Sequence, residues 1–406
     1  MKVLKINAVY EYSSTGRTAK ESHEYMLEKG IESYVAAPEL YGLKTNSYKI
    51  GSKLDMKVHA MLSRLTGLQG YFSVISTKKL IKYIEKLTPD IIHLHNLHGN
   101  YINLGMLLRY ISKHNIVTVI TLHDTWFYTG KCCHYLEDNC YKWKNECGKC
   151  PAKKKYNKSW FFDFSGKMQR DKIKWFGAVK RLGVVGVSSW TAEAAKESAI
   201  LGNAAVIETI FNWIDLDKFK PHDTLALRQK LNIEEKFVIL GIAQSWSAQK
   251  GLDIFIELSK LLPKDCLIIL VGNASEDTVK ANTKIKFIGT VNDVNLLADY
   301  YSMADVFINP SIQETFGKTT AEALAAGTPV IGFNSTATPE LVGRDGKCGV
   351  IVEQQETAEY LKAVEYIRAK TKNYFTEPCR KRAEENFDKA KNIEKYIDLY
   401  ERLQNG

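Results

Sequence analysis

The feature that most constrains this chain is an alternation of short β-branched segments with longer amphipathic segments, and this alternation occurs twice. The first series contains VLKINAV, a helical segment near residues 17–29, DIIHLH, IVTVITLH and LGVVGVS. The second contains FVILGIA, a helical segment after Gly251, CLIILVG, IKFIG, DVFINP, a helical segment after Phe316, and PVIGF. Because strands that alternate with helices build mostly parallel sheets, the pattern predicts an α/β fold of two doubly wound, Rossmann-like domains.

The domain boundaries are set by the break between the two series. A polar segment, FNWIDLDKFKP at residues 211–221, is predicted to link a first domain of residues 1–213 to a second domain of residues 214–385. The last residues, 386–406, have apolar side chains at helical spacing, which predicts a C-terminal helix that docks back on the first domain. These side chains are Phe387, Ile393, Tyr396, Ile397, Tyr400 and Leu403.

Composition and hydropathy indicate a globular protein, with 45% hydrophobic and 25% charged residues. The beginning of the chain, MKVLKINAVYEYSS, lacks a long apolar core followed by a small-residue cleavage site. No apolar run approaches the roughly 20 residues needed to cross a bilayer. We therefore expect a cytoplasmic protein.

The formal charge of +10 is concentrated in one basic insert, at about residues 130–181. From Lys142 to Arg181 there are thirteen Lys or Arg against three acidic residues, and aromatic side chains are interspersed among them. A basic aromatic segment suits an anionic membrane surface, an acidic acceptor or nucleic acid. The alternative is a solvated basic face over aromatic rings that pack on the core.

Ligands of parallel α/β sheets bind beyond the carboxyl ends of the strands, where loops lead into helices. Four segments occupy such positions: STGRTA, HLHNLHGN, LHDTW and the QETFG segment. Loops from both halves are therefore expected to line one cleft.

Two carboxylates, Glu314 and Glu322, lie on either side of a Phe-Gly turn in the last of these segments. Gly317 frees the backbone so that its amides can approach a ligand. A carboxylate accepts hydrogen bonds from adjacent hydroxyls, which sugars and riboses present. The alternative reading is that both acids merely favour the positive end of a helix dipole.

The segment ETFGKTTAE resembles the two-glutamate motif of the retaining family 4 glycosyltransferases, which have the GT-B fold. The resemblance extends over nearly the whole chain, through PDIIHLHN, TLHD, FNWIDLDKFKP, QKGLD and YYSMADVFINPS. It is similar in particular to bacterial enzymes of colanic acid, capsule and O-antigen lipopolysaccharide synthesis, where HLHNLHGNYIN and a cysteine-bearing insert also occur. The resemblance implies two Rossmann-like domains facing a cleft and a hexosyltransferase activity.

Site residues follow from the resemblance. Glu322 matches the glutamate on the ribose, Glu314 the one on the transferred sugar, and Lys250 the lysine on the diphosphate. His123 matches the histidine that contacts the donor sugar near the reacting carbon. The implied catalytic set is His123, Glu314 and Lys250. The implied donor-binding set is Gly16, Arg17, Ser245, Lys250, Gly289, Thr290, Val291, Glu314, Thr315, Phe316, Gly317, Lys318 and Glu322.

The resemblance also implies the reaction partners. The donor is a nucleotide diphosphate sugar and the acceptor a glycan, lipid-linked, at the cytoplasmic face of the inner membrane. Retention through same-face attack needs neither a carboxylate nucleophile nor a catalytic metal, and no nucleic-acid partner is expected.

One position departs from the family pattern. Many relatives have an arginine five residues before the lysine, where this chain has Ser245. We hypothesise that Arg17, beside Gly16 at a helix start, supplies the missing charge to the phosphates. The alternative is that Arg17 is an exposed arginine without that role. Lys318 is a second candidate for the missing phosphate charge.

Histidines cluster after the strands of the first half. His93 and His95 alternate on one strand and His98 follows, which is compatible with a metal site but lacks a local acid or cysteine to complete it. The preferred reading is that the acceptor side of the cleft is lined by His93, His95, Asn96, His98 and Asp124. Alternatively, these side chains cap a strand, and His123 is only a hydrogen-bonded histidine.

A cysteine cluster lies in KCCHYLEDNCYKWKNECGKCP, which ends in CxxC. In a chain without an export signal this pattern favours a structural zinc site over disulfides. The expected ligands are Cys132, Cys140, Cys147 and Cys150, with Cys133 and His134 as competitors. Free thiols and a disulfide remain alternatives.

Two other functions compete with sugar transfer. A non-catalytic membrane- or nucleic-acid-binding protein would use residues 142–181, but it leaves the placement of Glu314, Lys250 and His123 unexplained. An epimerase or phosphorylase of the same fold would need its own acid, base or cofactor signature, which the sequence lacks.

Overall fold

The structure is a computed structural model that describes all residues from Met1 to Gly406. It contains two parallel sheets. Contacts divide the chain into one unit of Met1–Ile210 with Ile393–Gly406, and a second unit of Phe211–Asn392. None of the helices combines the length and the apolar character that crossing a membrane requires.

The first unit contains a seven-stranded sheet in the order β3-β2-β1-β4-β5-β6-β7, in which every pairing is parallel. Its strands are β1 Lys2–Ile6, β2 Glu32–Ala37, β3 Ser47–Lys49, β4 Ile91–Leu94, β5 Val117–Leu122, β6 Leu182–Gly186 and β7 Val206–Thr209. Its helices are α1 Ser13–Glu28, α2 Lys53–Thr66, α3 Val74–Leu87, α4 Leu104–Lys113, α5 Ser165–Gly177 and α6 Ser189–Glu197. All six residues of β5 are buried, as expected for a parallel strand covered on both faces.

The second unit contains a six-stranded parallel sheet in the order β10-β9-β8-β11-β12-β13. Its strands are β8 Phe237–Ser245, β9 Cys266–Asn273, β10 Ile285–Ile288, β11 Val306–Asn309, β12 Val330–Phe333 and β13 Gly349–Val352. Its helices are α7 Leu225–Leu231, α8 Leu252–Leu261, α9 Glu276–Ala281, α10 Val294–Met303, α11 Lys318–Ala325, α12 Thr338–Val342, α13 Thr357–Lys370 and α14 Lys372–Asn386. The prediction of two doubly wound sheets is confirmed.

The C-terminal helix, α15 Lys389–Asn405, returns to the first unit as predicted. Tyr396 OH and Thr121 Oγ1 are hydrogen-bonded at 3.0 Å, and Arg402 Nη2 donates to both carboxylate oxygens of Glu208. The segment 211–221 differs from the expected polar linker because Trp213 and Phe219 are buried within the second unit. Its apolar side chains, rather than its polar ones, determine where it packs.

Candidate active site

The candidate donor site of the second unit lies at the carboxyl ends of β8 and β11, the neighbouring strands where the strand order reverses. Ligands of doubly wound sheets bind at such a switch point. Lys250 follows β8 in a short 3-10 turn, and Glu314 follows β11. Lys250 Nζ donates to Glu314 Oε1 at 2.6 Å and to Ser311 Oγ at 3.5 Å. The fold therefore brings together two predicted residues that lie 64 positions apart.

Two glycines give the backbone at this point its shape. Gly251 has φ +71°, and a Cβ there would lie 2.2 Å from Pro310 Cγ. Only glycine lets the turn after β8 approach the end of β11 this closely. Gly317 has φ +89°, in the left-handed region that favours glycine, and immediately precedes α11.

The loop between β11 and α11 is fixed by its neighbours. The Glu314 N–H donates to Thr336 Oγ1 at 2.9 Å, and Ser335 Oγ donates to the Ile312 carbonyl at 2.6 Å. Phe316 is buried, with its ring 5.5 Å from that of Phe387. Thr315, between these anchors, is half-buried. The loop is thus held in place by residues that follow β12 and α14.

Glu322 is the fifth residue of α11 and is only 6% exposed. The Tyr301 hydroxyl donates to Glu322 Oε2 at 2.8 Å and fixes the carboxylate. Sequence reasoning missed Tyr301, although it lies in the YYSMAD segment already noted for its resemblance to the family.

The remaining predicted donor residues of the second unit all lie at strand or helix ends. Ser245 ends β8 and is exposed, and Lys318 begins α11. Residues 289–291, the predicted border of the base, follow β10. Thr290 Oγ1 donates to Asn273 Oδ1 at 3.0 Å, which ties this turn to the end of β9.

In the first unit, the strand order reverses between β1 and β4. Gly16 and Arg17 lie one turn inside α1, which begins at Ser13, rather than at its start as predicted. Gly16 is buried and Arg17 is exposed. Asn7, which sequence reasoning did not single out, connects the loop after β1 to the loop after β4. Its Oδ1 accepts from the Asn96 N–H at 3.2 Å.

His93 does not line an accessible surface, contrary to the predicted acceptor-side role. It is 3% exposed, with Nε2 2.8 Å from Thr121 Oγ1 and Nδ1 2.6 Å from the Tyr400 hydroxyl. Helix α15 covers this histidine. Burial lowers the pKa of His93 and of His95 well below the ordinary value, so both are neutral.

His95 is also buried, and its Nδ1 lies 3.0 Å from His123 Nε2. Burial lowers the pKa of His123 to about 4, although the neighbouring Asp124 carboxylate acts in the opposite direction. His123 is therefore a neutral imidazole whose orientation is set by a second neutral imidazole.

His98 and Asp124 form an ion pair, with Nε2 2.7 Å from Oδ2. Burial disfavours the charged imidazolium, but the carboxylate outweighs burial and raises the pKa of His98. Burial by itself would raise the pKa of Asp124. The charge and hydrogen bond of His98, together with the Trp126 N–H, outweigh burial, so the pKa of Asp124 lies below its ordinary value. Cys133 lies beside this pair, with one ligand atom of each residue within 4.8 Å of the others.

The four cysteines predicted to bind zinc come together in the insert. They line one small cavity, and no disulfide joins them. Cys132 Sγ lies 4.0 Å from Cys150 Sγ.

Comparison with known proteins places the chain in a family. The model described as Glycosyltransferase Family 4 matches residues 15–218, and the model described as Glycosyl transferases group 1 matches residues 236–369. A putative colanic acid biosynthesis glycosyl transferase, WcaC of Escherichia coli K12, is 22% identical and is aligned over 99% of this chain and 100% of its own length. The crystal structure of Anabaena HepE in complex with UDP has a TM-score of 0.68, at 16% identity, over 99% of this chain and 100% of that chain.

A D-inositol 3-phosphate glycosyltransferase of Geodermatophilus obscurus is 31% identical over 177 residues, but this match spans only 39% of each protein. The matches to the two family models and the solved GT-B structures agree with the two parallel sheets described above. The predicted fold and family are confirmed, and the chain is a glycosyltransferase that belongs to family 4 and has the GT-B fold.

Proposed function

We propose that the protein is a retaining glycosyltransferase that moves a sugar from a nucleotide diphosphate sugar to a lipid-linked glycan during synthesis of a surface polysaccharide, such as a capsule or lipopolysaccharide. The observation that carries this proposal is the Lys250–Glu314 pair at the switch point of the second sheet. A cation beside a carboxylate matches a diphosphate attached to a sugar with adjacent hydroxyls. HepE, crystallised with UDP, supports uridine as the nucleoside, and WcaC supports polysaccharide synthesis.

Each of these residues of the second unit would bind a different part of the donor. Lys250 neutralises the diphosphate, and Glu314 binds the sugar hydroxyls opposite the amides of residues 316–318. Glu322, held by Tyr301, binds the ribose, and residues 289–291 border the base. Donor binding would replace the Lys250–Glu314 contact by one contact from each residue to the donor.

The reaction follows from these positions. The bond between the anomeric carbon and the phosphate oxygen breaks, and the acceptor oxygen bonds to that carbon on the same face. The acceptor proton moves to the leaving phosphate oxygen, which gives a nucleoside diphosphate and a glycoside of retained configuration. Lys250 would stabilise the charge that develops on the leaving group. His123, neutral at pH 7, would give the sugar a hydrogen bond rather than a charge.

Arg17 remains the candidate for the missing phosphate charge. It is exposed on α1 beside the buried Gly16, so its guanidinium is free to reach a ligand. Lys318, at the start of α11, is the alternative. Arg17→Ala should lower turnover with donor in excess, and an unchanged rate in Arg17→Ala with a reduced rate in Lys318→Ala would transfer the role to Lys318.

For the acceptor side we propose Asn96, His98 and Asp124, with an anionic membrane as the surface on which a lipid-linked acceptor is met. The apolar side chains of one face of α2, Leu54, Val58 and Met61, are exposed at helical spacing. Three consecutive aromatic residues of the insert, Trp160, Phe161 and Phe162, are exposed as well. The Trp160 N–H donates to the Arg64 carbonyl at 2.7 Å, which joins the insert to the last turn of α2. We name these six residues the apolar surface.

Exposed cations accompany the apolar surface: Lys53, Lys57, Arg64, Lys154 and Lys158. Apolar side chains flanked by lysine and arginine fit the headgroup region of an anionic bilayer. This supports a peripheral position on the cytoplasmic face of the inner membrane.

The test is a donor screen on the full-length protein. A UDP sugar should raise the melting temperature by several degrees because it binds only the folded state. Slow hydrolysis of that donor, followed by NMR, should first release the anomer present in the donor. Inversion would overturn the retaining mechanism, and absence of stabilisation by any UDP, GDP or ADP sugar would overturn the donor class.

A further inference from the structure

The cysteines of the insert surround a single cavity of about 20 Å³, which Cys132, Cys140, Cys147 and Cys150 all line. Tetrahedral zinc with four thiolates has Zn–S bonds of about 2.3 Å, so its sulfur atoms lie about 3.8 Å apart. Cys132 and Cys150 already have nearly this spacing, at 4.0 Å. The cavity has the size of a bound ion rather than of an organic ligand.

The CxxC turn of Cys147 and Cys150 is held in one backbone shape by neighbouring side chains. Lys149, between them, has φ +45°, in the left-handed region that a lysine rarely adopts. The Cys150 N–H donates to Asp163 Oδ2 at 2.6 Å, and the Cys147 N–H donates to Gln169 Oε1 at 2.5 Å. Side chains that fix the backbone beside metal ligands are typical of metal sites.

A buried cation supplies a second, independent observation. Lys131 is only 3% exposed and lines the same cavity, and its Nζ donates to the Lys153 carbonyl at 3.3 Å. An ammonium group is costly to bury without an opposite charge nearby. Zinc with four thiolates carries a net charge of −2, which would add to the Asp163 carboxylate in compensating the charge of Lys131.

We propose that Cys132, Cys140, Cys147 and Cys150 bind one zinc ion, and that this ion holds the loop that carries His123. Four thiolates fill the coordination sphere and leave no position for substrate, so the zinc is structural. The Cys132 carbonyl accepts from Thr125 Oγ1 at 2.9 Å and from Thr129 Oγ1 at 2.8 Å. Thr125 lies two residues after His123. Zinc binding at Cys132 would therefore also fix the position of the loop that carries His123.

The competing ligands point elsewhere. Cys133 faces His98 and Asp124, and Asn157 Nδ2 donates to its sulfur at 3.5 Å. His134 packs on Tyr156, with ring centres 4.8 Å apart. Cys133, His98 and Asp124 offer the only three ligand atoms within 4.8 Å of one another, so Cys140 and Cys147 must move inward when zinc binds. Cys133 is therefore both the rival ligand and the matched control.

Metal analysis of the full-length protein, expressed with zinc and purified without chelators, tests the ligand set. We expect about one zinc per chain in the wild type and in Cys133→Ser, and little in Cys147→Ser or Cys150→Ser. Wild-type protein without zinc would overturn the proposal. So would loss of zinc in Cys133→Ser with retention in Cys147→Ser.

A measurement on the wild type avoids any folding defect of the variants. Titration with a mercurial should release the zinc, read with a chromogenic chelator, as about four thiols react per ion. Hydrogen exchange at residues 123–129 should then become faster while exchange in the second unit stays unchanged. Release with no change at residues 123–129 would overturn the link to the His123 loop, and thiols that react without releasing zinc would overturn the site.

Discussion

Lys250 and Glu314 bind each other at 2.6 Å, although they follow different strands of the second sheet. Both side chains are partly accessible, and ion pairs of this kind contribute only about 0–1 kcal/mol to stability. Breaking the pair therefore costs little compared with the charge-assisted hydrogen bonds that a donor offers. The pair keeps both side chains at the switch point until a ligand replaces the partner of each.

Replacing Lys250 tests the diphosphate role. Lys250→Met should lower kcat/KM by about 100-fold because no fixed cation remains to stabilise the leaving phosphate. Steady-state transfer rates at varied donor concentration give this value. Lys260→Met is the matched control, since Lys260 forms an exposed pair with Glu257 at the same 2.6 Å in α8. A loss of similar size in both variants would contradict a specific role for Lys250.

Binding experiments should distinguish the role of Glu322 from that of Glu314. If Glu322 holds the ribose, Glu322→Gln weakens the binding of UDP alone by about 10- to 100-fold, the value of a charge-assisted hydrogen bond. Glu314→Gln should leave UDP binding nearly unchanged and weaken only the UDP sugar. Calorimetry with both ligands measures the difference, and Tyr301→Phe should behave as a milder Glu322→Gln because it removes one hydrogen bond to the carboxylate. Equal losses of UDP binding in both glutamine variants would contradict the assigned division.

The sequence predicted the features that depend on local pattern. Continuous apolar runs identify parallel strands such as β5, and glutamates that follow a strand identify the donor segment. Pairings between distant residues could not be predicted in this way. The burial of His93 depends on Tyr400, 307 positions away, and the anchoring of Glu322 depends on Tyr301.

Exposure was the second property that local pattern could not supply. Apolar residues at helical spacing ordinarily face a core, which would place Leu54, Val58 and Met61 inside. The structure leaves all three exposed, Leu54 at 71%. The same limit applied to residues 211–221, whose polar composition concealed the buried Trp213 and Phe219.

The apolar surface should bind anionic membranes. A double variant with Phe161→Ser and Phe162→Ser should reduce cosedimentation with phosphatidylglycerol vesicles by about tenfold or more, because two exposed rings would no longer enter the bilayer. Leu225→Ser is the control, since Leu225 is 58% exposed in the second unit, outside the apolar surface. Wild-type binding should also weaken with phosphatidylcholine or high salt. Unchanged sedimentation of the double variant would contradict a role of this surface in membrane binding.

Stability of the first unit should depend on pH through buried neutral histidines, of which His59 is the clearest. Gly70 N–H donates to His59 Nε2 at 3.3 Å, and Nδ1 lies 2.9 Å from Ser73 Oγ, so a second ring proton would break the amide contact. Burial lowers the pKa of His59 from 6.5 to about 4. Below pH 6.5 the unfolded chain binds a proton that the folded protein does not, so the free energy of unfolding falls until about pH 4 and should be about 2 kcal/mol lower at pH 5 from this residue alone. In urea unfolding at pH 7 and pH 5, His59→Gln should reduce the pH-dependent loss by that amount, whereas replacement of the exposed His114 by Gln should not, and equal losses in both variants would contradict the assignment.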